Sequence, residues 1–477
     1  MVLSFTIVLA IFLLIGLSSV FLSRGTKSDY YLASSSVPAS LVGLSAVATN
    51  NSGYMFIGVI GYTYATGLAS IWLMIGWIAG DFLASTIIHS RLRKATERTQ
   101  EVSYAGVLSN WDGVSDLRLQ RIAAIISLVF LLAYASAQLV AGSKALHVLL
   151  DWPTWSGAVV GAILVMLYCL AGGIRASIWT DAAQSVVMIF AMSLMLVVAV
   201  MSFGGLGGAV AEMREIEGFL NWFPQDLALP GLAGGLLFAL SWGFAGMSVI
   251  GQPHVMVRFM TLNDSGQMKR ARQWYYLWFT MFYCMATAVG MLSRIYISDP
   301  GNFDAELALP TMAQQLLPPF GAGIVLAGIF AATMSTADSL VLSCSSAVTH
   351  DLLPHNIEKP WMLKLGTALI TLAALAWALL NKQTVFSLVI MSWSGLASAF
   401  APLLVARCIG MRPPAGLSLT AILIGLGVAL GWRFMGWRSA VYEGMPGILC
   451  GFIVLAVGSL FYGREAEATA HTNGSAS

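Results

Sequence analysis

Two stretches of this chain place polar groups where a membrane helix would carry apolar ones. Ala48-Thr49-Asn50-Asn51-Ser52-Gly53-Tyr54 sits in the middle of an apolar run. Ala331-Ala332-Thr333-Met334-Ser335-Thr336-Ala337-Asp338-Ser339 opens a polar stripe that continues through Ser343, Ser345, Ser346 and Thr349. Ser335, Ser339, Ser343 and Ser346 recur at helical spacing and share one face. Hydroxyls and backbone carbonyls suit a weakly held monovalent cation, whereas Mg²⁺ or Ca²⁺ would call for carboxylate cages. Any single Ser or Thr is explained by bonding back to its own helix; the whole stripe around a carboxylate is not. Asn50 and Asn51 project to different sides of a helix and are hard to satisfy together. An unwound backbone whose carbonyls line a cavity accounts for both, and helix packing through small and polar residues is the alternative.

Carboxylates inside a membrane are costly and mark function by default. Asp338 lies deep in its apolar run and Asp181 near the start of another. With Ser339 they are candidates to line a cation exit route. Thr180-Asp181 at a helix start would equally serve as a cap. Asp81 is expected to pair with the basic stretch that begins at Arg91. Tyr54, Tyr134, Trp242 and Phe244 are the aromatics that flank the interruptions and are candidates to touch a solute. The six histidines show no HExxH or paired spacing and the five cysteines no CxxC. Neither a metalloenzyme nor a zinc site is indicated.

The elements that must hold these residues are membrane helices. Of 477 residues 58% are hydrophobic and 10% charged, against about 25% charged in soluble chains, and mean hydropathy is +0.80. Thirteen apolar runs reach the ~20 residues that a spanning helix needs. They are 2–23, 39–62, 67–88, 121–147, 155–174, 180–204, 228–250, 273–296, 319–346, 361–380, 385–407, 415–434 and 443–462. The expectation is one all-α polytopic membrane domain over 1–463, with 464–477 a disordered cytoplasmic tail. No basic residue precedes the first run, so it reads as a retained helix rather than a cleaved leader. With the N-terminus outside and the C-terminus in the cytoplasm, eighteen of the 24 Lys and Arg fall inside and six outside. That is the bias of a multi-pass protein in a bacterial-type inner (plasma) membrane. A net charge of +2 excludes a strongly basic nucleic-acid binder.

The second run carries the Asn-Asn-Ser interruption. The seventh carries Ser241-Trp242-Gly243 and continues through Gly246, Ser248, Gly251 and Pro253. Each is the first helix of a set of five, 39–204 and 228–407. Five is odd, so the second set runs opposite to the first, which makes an inverted repeat. Interruptions at matching places in two halves are the best sequence pointer to a transport site.

At this point the chain resembles the solute:sodium symporter family from end to end, and its sodium/proline branch most. The resemblance rests on Asp29-Tyr30-Tyr31-Leu32-Ala33 with Leu41-Val42-Gly43-Leu44-Ser45-Ala46, and on Trp179-Thr180-Asp181 leading to Gln184. Gly251-Gln252-Pro253-His254 with Arg258-Phe259-Met260 carries it further, and the most specific part is Met334-Ser335-Thr336 with Cys344-Ser345-Ser346-Ala347 and Asp351-Leu352. It implies an APC/LeuT-type five-plus-five inverted repeat, preceded by one extra helix (2–23) and followed by two (415–462). It also implies a sodium site between spans 2 and 9, with carbonyls of Ala48, Asn51 and Ala332 and hydroxyls of Ser335 and Thr336. Family members depend on the carboxylate that falls at Asp181. The family's solute pocket corresponds to Asn50, Tyr54, Gly58, Tyr134, Trp242 and Pro253. Three departures bear on the solute: the proline branch has Asp where this chain has Asn50, Met at Asn51 and Trp at Tyr54. The stretch from Trp242 to Pro253 is also three residues longer than expected.

The expected activity is Na⁺-coupled symport of a small organic solute into the cell, proline or a similar amino acid, by a protein that is not an enzyme. A small monocarboxylate, a pantothenate-like compound or a sugar are the other solutes, and a membrane sensor that binds ligand without flux is the rival class. A membrane enzyme would need an acid–base pair that the spans lack, and a channel would show pore rings or a filter. The expected partners are the solute, Na⁺ as coupling ion and the lipid bilayer. No other cofactor, no nucleic acid and no obligate protein partner is expected.

Overall fold

In hydrocarbon a single apolar segment satisfies its own N–H and C=O groups by coiling into a helix. The computed structural model describes residues 1–113, 115–297, 301–353 and 357–474, and these hold helices and no β-strand. The principal helices are α1 (Val2–Ser18), α2 (Ala39–Tyr54), α3 (Ile60–Thr66), α4 (Ile71–Thr99), α5 (Leu117–Leu150), α6 (Ser156–Ser202) and α7 (Gly231–Met247). They continue as α8 (Pro253–Met260), α9 (Met268–Tyr296), α10 (Pro319–Ser346), α11 (Pro360–Leu380), α12 (Val385–Cys408), α13 (Ala415–Phe434) and α14 (Gly444–Gly474).

Among the described residues, eleven helical stretches are long and apolar enough to cross a membrane. Two of them, Ala39–Thr99 with 61 residues and Ser156–Ser202 with 47, each take the place of two expected spans. At ~1.5 Å per residue they would reach roughly 90 and 70 Å if straight, far beyond a hydrocarbon core of ~30 Å. Both are broken. Gly67 has φ +70° and ψ −144° where the runs 39–62 and 67–88 meet. Gly173 has φ +57° and ψ −138° at the end of the run 155–174. A Cβ on Gly173 would also lie 2.4 Å from the Tyr30 carbonyl oxygen, so both backbone and space demand glycine there.

One expectation changes at the C-terminus. The helix α14 runs to Gly474, so the stretch expected to be disordered from 464 continues as helix that far. Glu465, Ala466, Glu467 and Ala468 are strong helix formers, which the polarity of the stretch had masked. Residues 475–477 lie outside the described residues.

Helices α10 and α12 form the centre of the bundle, while α1, α11 and α14 keep most of their surface turned outward. Lipid is as apolar as a side chain, so close packing of small residues brings such helices together. At the break such a close approach is made by Gly53 of α2, where a Cβ would meet Thr333 of α10 at 2.5 Å and Gln138 of α5 at 3.0 Å.

The two interruptions lie where the polar runs placed them. Ser52 leaves helical geometry with φ +45° and ψ 177°, and a π-helical turn, Met55–Val59, leads into α3. The freed groups find partners: Gly53 N–H donates to Gln138 Oε1 (2.8 Å) and Tyr54 N–H to Ser52 Oγ (3.0 Å). The second break runs through the 3₁₀ turn Ser248–Gly251 and the extended Gln252, and Pro253 then opens α8. Proline suits a first helical position because that N–H has no helical partner anyway.

Gly173→Ala should therefore lower stability by roughly 1–3 kcal/mol, read as a lower melting temperature of the purified protein in detergent. Gly416→Ala, on an open face of α13 with no atom within 4 Å of the added Cβ, should leave melting unchanged or slightly raised. Wild-type melting of the Gly173 variant would contradict the assignment of a forced break.

Candidate functional site

The break in α2 faces the middle of α10, and the contact is made by hydroxyls on carbonyls. Ser335 Oγ donates to Ala48 O and, within its own helix, to Ala332 O, both at 3.1 Å. Thr336 Oγ1 donates to Thr49 O at 2.9 Å. Thr49 Oγ1 lies 3.0 Å from Ser339 Oγ, which donates to Ser335 O at 2.7 Å. Ala48, Asn51, Ala332, Ser335 and Thr336 are all buried. Ser335 thus joins Ala48 and Ala332 directly, while Thr336 bonds the carbonyl of Thr49 instead. Asn51 differs: its carbonyl accepts the Met55 N–H, and both polar atoms of its side chain lack a partner. The carbonyl opposite Thr336 belongs to Thr49, which sequence reasoning had not singled out.

The expected exit route is filled by a guanidinium. Arg258 of α8 places Nη2 3.4 Å from Asp181 Oδ2 and 3.5 Å from Asp338 Oδ1, and all three side chains are wholly buried. The same nitrogen donates to Ser177 Oγ (2.5 Å) and to Ser339 Oγ. Asp181 also accepts from Ser45 Oγ of α2 at 2.6 Å, and Asp338 accepts from Ser339 Oγ at 3.0 Å. Arg258 falls between the expected spans 228–250 and 273–296, among the eighteen charges placed inside; its place in the apolar run Val255–Met260 is the signal that it is internal. The capping alternative for Asp181 fails, because Thr180 and Asp181 lie inside α6. Thr180 Oγ1 bonds back to Ala176 O and Ser177 O there.

Around the break in α2 lies a ring of aromatic side chains. Tyr54 packs on Trp77 (5.6 Å between ring centroids), Trp77 on Trp393 (5.4 Å), Trp393 on His254 (6.3 Å) and His254 on Tyr134 (5.3 Å). Tyr134 closes the ring by donating to Ser52 Oγ at 3.2 Å. Tyr54 Oη, both His254 nitrogens, Gln138 Nε2 and Gln252 Oε1 are buried here without a partner. Buried polar atoms are normally paired, so these unpaired atoms set the ring apart. Of the expected pocket residues, Tyr54 and Tyr134 line the ring. Gly58 lets the Tyr54 ring lie on the backbone, since a Cβ there would sit 2.8 Å from it. Pro253 adjoins His254 at the head of α8.

Two expected pocket residues point elsewhere. Asn50 hydrogen-bonds Tyr275 and lies 3.4 Å from Asp81 Oδ2, away from the ring. Trp242 packs on Tyr62 (5.6 Å) and Tyr442 (6.5 Å) and lines a cavity of about 370 Å³ with Phe386, Arg433 and Glu443. Trp242 lies within α7, before the turn that begins at Ser248. Asp81, expected to pair with the Arg91 stretch, instead accepts from Tyr275 Oη (2.6 Å) and Tyr276 Oη (2.7 Å). His254, Gln138 and Trp393 were not singled out, although His254 directly follows the proline of the second interruption.

Comparison with known proteins places this arrangement. The profile of the sodium:solute symporter family matches residues 30–425. The chain is 30% identical to the sodium/proline symporter of Escherichia coli (strain K12), over 94% of this chain and 92% of that protein. It is 28% identical to the high-affinity proline transporter PutP of Bacillus subtilis (strain 168), over 88% and 89%. The fold matches a substrate-bound, outward-open Na⁺-coupled sialic acid symporter with a TM-score of 0.80 at 19% identity, covering 96% of this chain and 97% of that one. A nucleobase-cation-symport-1 family transporter in a closed conformation follows at 0.60 and 13% identity, covering 91% and 95%. The chain belongs to the sodium:solute symporter family, multi-pass membrane proteins that couple solute transport to Na⁺ and are not enzymes.

Proposed function

We propose that this protein carries proline or a closely similar amino acid into the cell together with Na⁺. In this reading the two long broken stretches count as two spans each, giving thirteen. The N-terminus lies outside and the C-terminus inside, and 39–204 and 228–407 form the five-plus-five inverted repeat. One extra helix precedes the repeat and two follow it. The observation that carries the reading is the pair of contacts from Ser335 to Ala48 and from Thr336 to Thr49, which tie the broken α2 to α10.

A hydroxyl that turns its proton away presents a lone pair. The Ser335 and Thr336 hydroxyls, with the carbonyls of Ala48, Asn51 and Ala332, then offer Na⁺ an uncharged set of oxygens. Charge balance comes from next door. Two carboxylates, Asp181 and Asp338, face one guanidinium, so the group carries one excess negative charge. Thr49 and Ser339 link that group to the Ser335 contact, and one Na⁺ makes the whole neutral. The solute sits beside the ion in the aromatic ring of Tyr54, Tyr134, His254 and Trp393. Its carboxylate faces the end of α8 that Pro253 opens, where the helix dipole favours negative charge. Asn50 and Trp242 are left out of the pocket because their side chains point away from the ring.

The ion gradient supplies the work. One Na⁺ gains about 2.3 kcal/mol from 100 mV and about 1.4 kcal/mol from a tenfold gradient, which supports roughly 500-fold accumulation of a net-neutral solute.

Proteoliposomes under an inward Na⁺ gradient should accumulate labelled L-proline, and those under an equal K⁺ gradient should not. Equal uptake with both ions, or none with either, would overturn the proline reading. Ser335→Ala and Thr336→Ala should each raise the Na⁺ concentration for half-maximal uptake about tenfold, with uptake at saturating Na⁺ much less affected. Unchanged Na⁺ dependence in both would remove them from the ion site. Arg258→Met leaves two buried carboxylates without their counter-charge and should cost about 3–5 kcal/mol, read as loss of folded protein on size-exclusion chromatography. Adding Asp338→Asn should recover part of it; wild-type stability of the single variant would contradict the charge balance.

A further inference from the structure

Asp81 lies in the middle of α4, wholly buried. Of the other buried carboxylates, Asp181 and Asp338 share Arg258 and Glu443 has Arg433 at 2.7 Å, while Asp351, at the end of the bundle, is held by Ser103 and Gln120. Among the described residues Asp81 has no ion pair. Its oxygens are held by neutral donors instead, Tyr276 on Oδ1 and Tyr275 with Asn50 Nδ2 on Oδ2. Asn50 Oδ1 is buried beside this cluster without a partner.

The groups that face Asp81 make the isolation plain. From α2 comes the neutral Asn50. From α9 come Tyr275, Tyr276 and Arg272. The Arg272 guanidinium lies over the Phe82 and Tyr276 rings (5.2 and 5.3 Å) and donates to Phe82 O and Thr86 Oγ1 on the exposed side of α4. Helix α7, which packs against Gly76 and Gly80, has no titratable residue. On α8, Arg258 is held by Asp181 and Asp338, and His254 faces Tyr134 and Trp393. On α4 itself, Ser85 bonds Tyr276, and His89 stacks on Phe259 at 3.6 Å.

A buried carboxylate with no counter-charge is relieved by gaining a positive one. We propose that Asp81 is a proton-binding site whose occupancy is read by Asn50 on the broken helix α2; its link to sodium rests on the function proposed above. With Asp81 ionised, the Asn50 amide donates to it. With a proton taken from water, Asp81 becomes an O–H donor, and the Asn50 amide turns over so that its orphan Oδ1 accepts. One O–H bond of hydronium breaks as one forms on Asp81, and nothing is oxidised or reduced. The turn moves the side chain of the residue next to Asn51 and removes the negative charge that Asn50 contacts. Protonation therefore weakens Na⁺ binding, and by linkage Na⁺ binding expels the proton.

The test uses the full-length purified protein in nanodiscs with two readouts. Infrared difference spectra between about pH 8 and pH 6 should show a protonated carboxylic acid band in wild type that is missing in Asp81→Asn. Binding of ²²Na⁺ without solute should weaken about fivefold over the same interval in wild type and stay flat in Asp81→Asn. Tyr276→Phe removes one donor to the ionised carboxylate and should move the midpoint of both signals to higher pH; it decides the matter if Asp81→Asn does not fold. An unchanged band and pH profile in Asp81→Asn, or an unmoved midpoint in Tyr276→Phe, would overturn the proposal. A band lost in Asp81→Asn with no ²²Na⁺ binding in any variant would support the proton site and overturn the sodium reading.

Discussion

The structure depends on one contact: the hydroxyls of α10 meeting the carbonyls of α2 where α2 is broken. A break in mid-membrane leaves backbone groups that lipid cannot satisfy. Here the partners come from neighbours on both sides, Gln138 of α5 on the Gly53 N–H and Ser335 and Thr336 on the carbonyls of Ala48 and Thr49. Gly53 permits this by having no side chain where Thr333 presses in. The same contact presents oxygen atoms that a small cation can use, so in the proposed function holding the helix together and holding the ion are one arrangement.

Charge is organised around that contact in layers. The oxygens nearest the break are uncharged, and the carboxylates stand one hydrogen bond further away, joined through Thr49 and Ser339. Between Asp181 and Asp338 sits Arg258, a cation fixed to the protein. A weakly held ion can leave such a site, whereas direct carboxylate ligation would hold it more strongly. Arg258 belongs to α8, the segment after the second break, and Asp181 accepts from Ser45 of α2, the helix of the first break, so the buried charges connect the two interrupted segments.

Much of this was legible in the sequence, because polar residues inside apolar runs are conspicuous. Asn50, Asn51 and Ser52 marked the first break, and Ser335, Thr336 and Ser339 marked the face that meets it. Direction was less legible. Nothing in a helical sequence says which neighbour a given side chain will meet, so Asn50 was placed in the solute pocket while its amide turns to Tyr275 and Asp81. Arg258 was read as a loop charge because its partners, Asp181 and Asp338, lie about 80 residues away on either side. Separation in sequence also hid His254, whose ring neighbours Tyr134 and Trp393 come from two other helices. Gly173 ends one expected span and Gly67 begins another, but their positive φ only became visible in the fold.

The central claim is that Na⁺ joins the broken backbone of α2 to α10. Amide hydrogen exchange of the purified protein reads this most directly, with Na⁺ compared against K⁺ at equal ionic strength. The account predicts that Na⁺ alone slows exchange at residues 48–54 and 332–339, with the peripheral helices unchanged. Identical exchange at those residues in Na⁺ and K⁺ would contradict it.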